Sequence, residues 1–471
     1  MNNSNDAVKN NPLYYEGIGK LLTKFAVPSI IAMLVTSLYN IVDQLFIGQF
    51  VGELGNAATN IVFPLTMCCL SIALLFGIGS SSAFNLAQGR GEIDKSAYYI
   101  GCAITSMILI GVVIGLSCFI FTDPILRFLG SPDSVMEYGH TYLGITAIGF
   151  PFLILQAGGG HLVRADGSPN ITMTINIVGA VINIALDALF VVYFGMGMAG
   201  AAIATVIGQA VSSLIVVVYM FHFKSVKLKL KNFVPKWFSF KESCALGAAP
   251  FFNQMAMMTT QIIFNNSLKH YGAMSEYGDA IPIAVAGIVI KCMQLLFGII
   301  IGIAQGLQPI ASFNYGAQNY ERVKRGYTLA TKAGAVVSIV GFLIFQIFPA
   351  EIISMFGQGS EMYMQFGVKF SRITLFMMCM IFVQPITSNF FTAIGKPKKG
   401  IFLSLTRQFI FLIPLIIALP LIFGFEGLLY AQPIADSLAC AICIVMAVRE
   451  FRKPEYTNAA HFFIFKRKNN S

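Results

Sequence analysis

Two aspartates lie where an acid is expensive. Asp43 falls in Tyr39-Asn40-Ile41-Val42-Asp43-Gln44-Leu45-Phe46, and Asp187 closes Asn183-Ile184-Ala185-Leu186-Asp187. Both stretches belong to apolar runs of membrane-crossing length, where an acid costs about 2.5–3.5 kcal/mol and so marks a function or a pairing. At helical spacing Tyr39 and Thr36 share a face with Asp43, four and seven residues back; Asn183 and Asn176 share one with Asp187, four and eleven back. Each acid comes late in its run and at similar depth. Two carboxylates beside amide and hydroxyl oxygens make a site for Na⁺ or a proton, because both cannot stay charged cheaply in a low dielectric. The plainer account is a hydrogen-bonded acid at a helix contact.

Three further ionisable residues fall inside apolar runs: Asp436, Lys291 and Arg407. Either cation could face a cavity, neutralise Asp436 or snorkel to a headgroup. Lys291, near the middle of its run, is the better cavity candidate. These two cations keep anionic and zwitterionic solutes open as cargo. The run Phe251, Phe252, Met255, Met257, Met258 suits an adaptable apolar pocket, since Met repacks around different shapes. With 21 Met and 42 Phe in the chain, most such residues simply pack. Gln44 joins Tyr39, Asn176, Met255, Met258 and Lys291 as a candidate cavity residue.

The elements holding these residues follow from composition. Of 471 residues 56% are hydrophobic and 11% charged, where soluble proteins have about 45–50% and 25%. The mean hydropathy is +0.74. A soluble enzyme, a disulfide scaffold and a disordered chain are all excluded; the chain is an all-α polytopic membrane protein. Its net charge of +10 sits in short loops between apolar runs, the pattern of topology signals and lipid-headgroup contacts rather than of nucleic-acid binding. Cys440 and Cys443 form a C-x-x-C inside an apolar run, which fits packing, not redox or zinc chemistry. No H-E-x-x-H, G-x-S-x-G or P-loop occurs, and the five histidines lack metal-ligand spacing.

A crossing helix needs about 20 apolar residues. That ruler predicts twelve: 25–47, 58–80, 98–121, 139–160, 171–193 and 198–221, then 245–267, 281–305, 330–349, 370–392, 401–423 and 427–448. The polar interruption 222–243, with six lysines, divides the chain into a six-helix lobe over 25–221 and a second over 244–448. An arm (1–24) and a basic tail (449–471) flank them. Lys227, Lys229 and Lys231 in the linker could lie along anionic headgroups or simply be solvated. Segments on the linker's side hold 25 of the 31 Lys and Arg residues, which places the arm, linker and tail in the cytosol of a plasma-membrane protein.

The halves repeat. Leu74–Gly77 recurs as Leu295–Gly298, Phe84-Asn85 as Phe313-Asn314, the turn Ala165–Pro169 as Ala393–Pro397, and Pro28 as Pro250, at offsets of 221 to 229. Six helices separate equivalent elements, an even number, so the lobes share one orientation and are related by an axis along the membrane normal. Asp43 maps to about Asn265 and Asp187 to Leu415; the second lobe lacks the pair, so the shared fold does not require it. Asp436 maps to Gln209, which suits a polar helix contact in both lobes. Two equivalent lobes suit a rocking, alternating-access transporter better than a channel.

Several segments together resemble the multidrug and toxic compound extrusion (MATE) family, in its bacterial subgroup acting on cationic drugs and biocides. They are Lys24–Ile30, Asn40–Gly48, Arg164–Pro169, Asn183–Asp187, Gly200–Thr205, and Arg407-Gln408 ahead of Phe411–Pro414. The resemblance implies twelve helices in two lobes and ion-driven export of amphipathic compounds by a monomer, with no cofactor beyond the coupling ion, H⁺ or Na⁺. It also implies a first-lobe ion site at Asp43, Asn183, Asp187 and Thr205. The competing expectation is a flippase for a lipid-linked substrate in the same superfamily.

Overall fold

The computed structural model describes residues 8–278, 280–354 and 360–457. The first lobe contains α1 (Ile18–Val51), α2 (Glu53–Gly89), α3 (Ile93–Ile120), α4 (Asp133–Ala165), α5 (Pro169–Tyr193) and α6 (Gly197–Met220). The second contains α7 (Trp237–Ala273), α8 (Ala280–Gly316), α9 (Tyr320–Ile347), α10 (Glu361–Ala393), α11 (Pro397–Phe423) and α12 (Phe425–Phe451). Eleven of these are both long and apolar enough to cross a membrane. The twelfth, α7, has the length at 37 residues. Its apolar signal is diluted by Asn253, Gln254, Thr259, Thr260, Gln261, Asn265 and Asn266. Asp436, Arg407 and the two first-lobe acids thus all fall within helices.

Each lobe has its own core. Phe76, Phe84, Tyr99 and Ile154 are buried in the first, and Phe366, Phe370, Phe390 and Phe391 in the second. The lobes meet through α1 against α8 and α7 against α2. Here backbones touch, and only glycine fits: a Cβ on Gly306 would lie 2.7 Å from the Ala26 Cα, and one on Gly247 would lie 1.7 Å from the Leu75 carbonyl oxygen. Pro28 and Pro250 do not begin their helices, as the apolar ruler suggests. They lie inside α1 and α7, whose first turns extend beyond the apolar core.

The seam also corrects the repeat register. Gly89 approaches the Phe313 carbonyl, and Gly316 approaches that of Leu86. These contacts are reciprocal under the pseudo-twofold axis only if α2 and α8 are offset by 227 residues (316 against 89, 313 against 86). The Phe84/Phe313 match lies within two residues of that register. Leu74–Gly77 against Leu295–Gly298 lies six away, about 9 Å along a helix, so that tetrapeptide match is coincidental.

Linker and arm are both strapped down. Asp166, at the α4–α5 turn, accepts from the backbone N–H groups of Lys224 (2.7 Å) and Ser225 (2.8 Å) and from the Tyr219 hydroxyl (2.8 Å). Phe223, Val226, Asn232 and Ser239 are buried, whereas Lys227, Lys229 and Lys231 are exposed. On the arm, Arg322 of α9 donates to the carbonyls of Leu13 (3.1 Å) and Glu16 (2.5 Å).

Close contacts between lobes lie toward the linker's face. Past Met33–Gly298 and Gln254–Met67, no hydrogen bond or ion pair among the described residues joins them. The space between α1, α2, α7 and α8 opens to the opposite face.

Candidate functional site

Asp43 stands one turn before a π-helical segment of α1, Ile47–Val51, and Asp187 immediately precedes another in α5, Ala188–Tyr193. The two π segments are in contact. Such turns frequently occur at functional sites. They bring the two carboxyl groups within hydrogen-bonding reach of each other. Asp187 is wholly buried and Asn183 nearly so. Asn183 donates its Nδ2 to Thr205 Oγ1 on α6 at 3.3 Å. That leaves its Oδ1, both oxygens of Asp187 and Oδ1 of Asp43 buried without a donor.

Four buried oxygens with nothing to accept from are costly unless a cation or a proton supplies the missing partner. The donor set is two carboxylates, one amide oxygen and a nearby hydroxyl. It suits a hard ion or a proton, not a thiophilic metal. Among the described residues no three His, Cys, Asp or Glu side chains gather as a metal cluster. Tyr39 lies beside both acids, as does Tyr142 of α4. Thr36 and Asn176 meet at 3.5 Å, further along α1 and α5 toward the linker's face. Gln44 is exposed and shares no hydrogen bond with this group.

In the second lobe the equivalent region is built differently. Asn265, where Asp43 has its counterpart, accepts from Gln261 at 3.0 Å. Arg407 and Asp436 form an ion pair at 2.5 Å. Lys291 is exposed on α8, with no ion pair among the described residues. Met255 sits at the seam, its sulfur 3.3 Å from the Ser71 hydroxyl of α2, while Met258 is half-buried one turn toward the open face.

The MatE family model matches residues 28–189 and 251–417, one block in each lobe. This chain belongs to the MATE family. A solved MATE multidrug transporter, DinF-BH, is 32% identical over 94% of this chain and 98% of its own, with a TM-score of 0.86. A multidrug resistance MATE transporter solved in an outward-facing conformation is 21% identical over 95% and 98%, also at 0.86. Multidrug export protein MepA of Staphylococcus aureus (strain MSSA476) is 24% identical over 94% of this chain and 96% of its own. As a MATE protein the chain is a membrane transporter of twelve helices in two lobes, not an enzyme.

Sequence reasoning missed two features of this MATE chain. Tyr142 follows His140 and Thr141, and nothing in that stretch of the sequence singles it out as a neighbour of the two acids. The seam's polar lock was missed as well. Gln308 of α8, buried, donates to Ser81 Oγ (2.8 Å), Ser82 Oγ (3.0 Å) and the Ile78 carbonyl (3.2 Å) of α2. Ser80 bonds Ser243 at 2.8 Å, and the Tyr99 hydroxyl donates to Glu242. The run Ser80-Ser81-Ser82 in an apolar helix was the available signal.

Proposed function

We propose that this MATE protein is a multidrug efflux antiporter, exporting amphipathic organic compounds in exchange for H⁺ or Na⁺ taken up at Asp43, Asn183, Asp187 and Thr205. The observation that carries the reading is the cluster of four buried, donorless oxygens in the first lobe. Either Na⁺ settles among them or the acids share a proton. Each alternative removes the cost of two bare carboxylates side by side.

With the linker in the cytosol, as the basic bias indicates, the cavity described above faces outward. Cation uptake from outside and cargo release to outside then compete through one two-state equilibrium. Tyr39, Asn176, Met255, Met258 and Lys291 are the proposed cargo contacts. A single chain supplies both lobes and the whole seam, which supports a monomer. The flippase reading gains nothing from the second lobe, where one of the two membrane-embedded cations is already tied to an acid. Gradient-driven dye accumulation in everted vesicles, with Na⁺ and H⁺ gradients imposed separately, tests the proposal. Acceleration by one gradient supports it, and indifference to both overturns it.

A further inference from the structure

Arg407 and Asp436 hold a second, dipolar site. Asp436 lies near mid-span on α12, opposite the exposed stripe Tyr430, Ile434, Leu438, Ala441 and Val445, which therefore faces lipid. Its side chain points into the lobe. Neighbours at that depth are sealed: Ala435 is 0% exposed, Ala439 2% and Gln408 3%. The side chains of Arg407 and Asp436 keep 14% and 11% exposure, so the pair remains accessible at that depth. One turn toward the open face, the Gln432 amide contacts the Met293 sulfur of α8 at 3.8 Å, and Lys291 lies exposed on that same helix.

The pair uses little of its bonding capacity. Only Nε of Arg407 and Oδ1 of Asp436 meet, at 2.5 Å. Neither Nη group of Arg407 nor Oδ2 of Asp436 has a partner among the described residues, and these atoms are not sealed from solvent. A guanidinium presenting its Nη edge is a preformed fork for a carboxylate. A free carboxylate oxygen beside it accepts from an ammonium or amino group. Arg407 also lies in the π-helical segment Thr406–Leu412, an irregular turn of the kind that often marks functional sites.

We propose that this pair is a binding site for zwitterionic amphipaths, with the cargo carboxylate on the Nη edge of Arg407 and its protonated amine on Oδ2 of Asp436. The physical reason is charge balance in a low dielectric. A simple cation on Asp436 leaves Arg407 uncompensated, and a simple anion on Arg407 leaves Asp436 uncompensated. A zwitterion satisfies both ends and leaves the ion pair and the net charge intact. The proposal rests on the efflux reading for its class of cargo, but it concerns the second lobe and needs no coupling ion.

The test uses two fluorescent probes that differ by one methyl group: rhodamine 110, with a free carboxylate, and rhodamine 123, its methyl ester and a cation. Binding to the purified full-length protein is followed by fluorescence polarisation, with no gradient imposed, so failure of the coupling reading leaves this result unaffected. Arg407→Gln is expected to weaken rhodamine 110 at least about tenfold and leave rhodamine 123 unchanged or tighter. Arg407→Lys, which keeps the ion pair but loses the fork, is expected to weaken rhodamine 110 severalfold, and it serves if the glutamine variant fails to fold. Equal losses for both probes, or undiminished rhodamine 110 binding in either variant, would overturn the proposal and leave the pair a structural clamp.

Discussion

Gln308 reaches across the seam to Ser81 at 2.8 Å, so a single amide on α8 fastens the two lobes beneath the open cavity. The same Nε2 also faces Ser82 and the Ile78 carbonyl. A transporter that rocks has to break all of these bonds together. Gln308→Ala removes the donor and is expected to destabilise the closed linker-side seam by about 1–3 kcal/mol. That corresponds to a shift of roughly 5- to 150-fold toward the state open at the linker's face. Distances between spin labels on the two lobes report it, and an unchanged distribution would show that the seam does not depend on Gln308.

Asp187→Asn and Asp43→Asn keep the shape of the first-lobe cluster while removing charge. Each is expected to reach the membrane and bind dye, yet lose gradient-driven efflux. Asp436→Asn serves as the matched control and is expected to be milder. Wild-type pumping by both first-lobe variants under the same gradient would place the ion site elsewhere.

Met258 is half-buried one turn from the seam residue Met255. Met258→Trp adds bulk at the base of the cavity and should alter which compounds are exported more than how much protein is made. A resistance spectrum identical to wild type at equal expression would assign Met258 to packing.

The linker offers a direct check on orientation. Ser239 is buried and would report poorly, whereas Lys231 is exposed. Lys231→Cys, in a background lacking other reactive cysteines, should resist an impermeant thiol reagent added outside intact cells. Ready labelling from outside would invert the topology.

Much of this was legible in the chain itself. Twelve apolar runs with a lysine-rich break between them are enough to imply two lobes, because hydrocarbon admits little but helices. Asp43 and Asp187 stood out because few acids interrupt those runs. What periodicity cannot carry is contact between distant helices. Nothing near Tyr142 in the chain indicates that it faces the acids, and the true α2–α8 register emerged only from the reciprocal approaches of Gly89 and Gly316. The π segments were likewise invisible, since Ile47–Val51 and Ala188–Tyr193 have the composition of any membrane helix. Asp436 was legible as a polar contact, but only the structure shows that Arg407 is its partner.

The exchange of partners at the seam has a consequence for biogenesis. The linker-side half of α1 lies on α8, and that of α7 lies on α2, so each lobe's first helix is seated on the other lobe. When the ribosome has delivered α1 through α6, the surface at Leu75 and Gly79 is still bare, and the linker-side half of α1 lacks its α8 partner until residues near Gly302 and Gly306 are inserted. The first half therefore waits in the bilayer as an unfinished fold, its small-residue groove held open for a helix not yet made. Neither half is a self-sufficient product of synthesis; each completes the other.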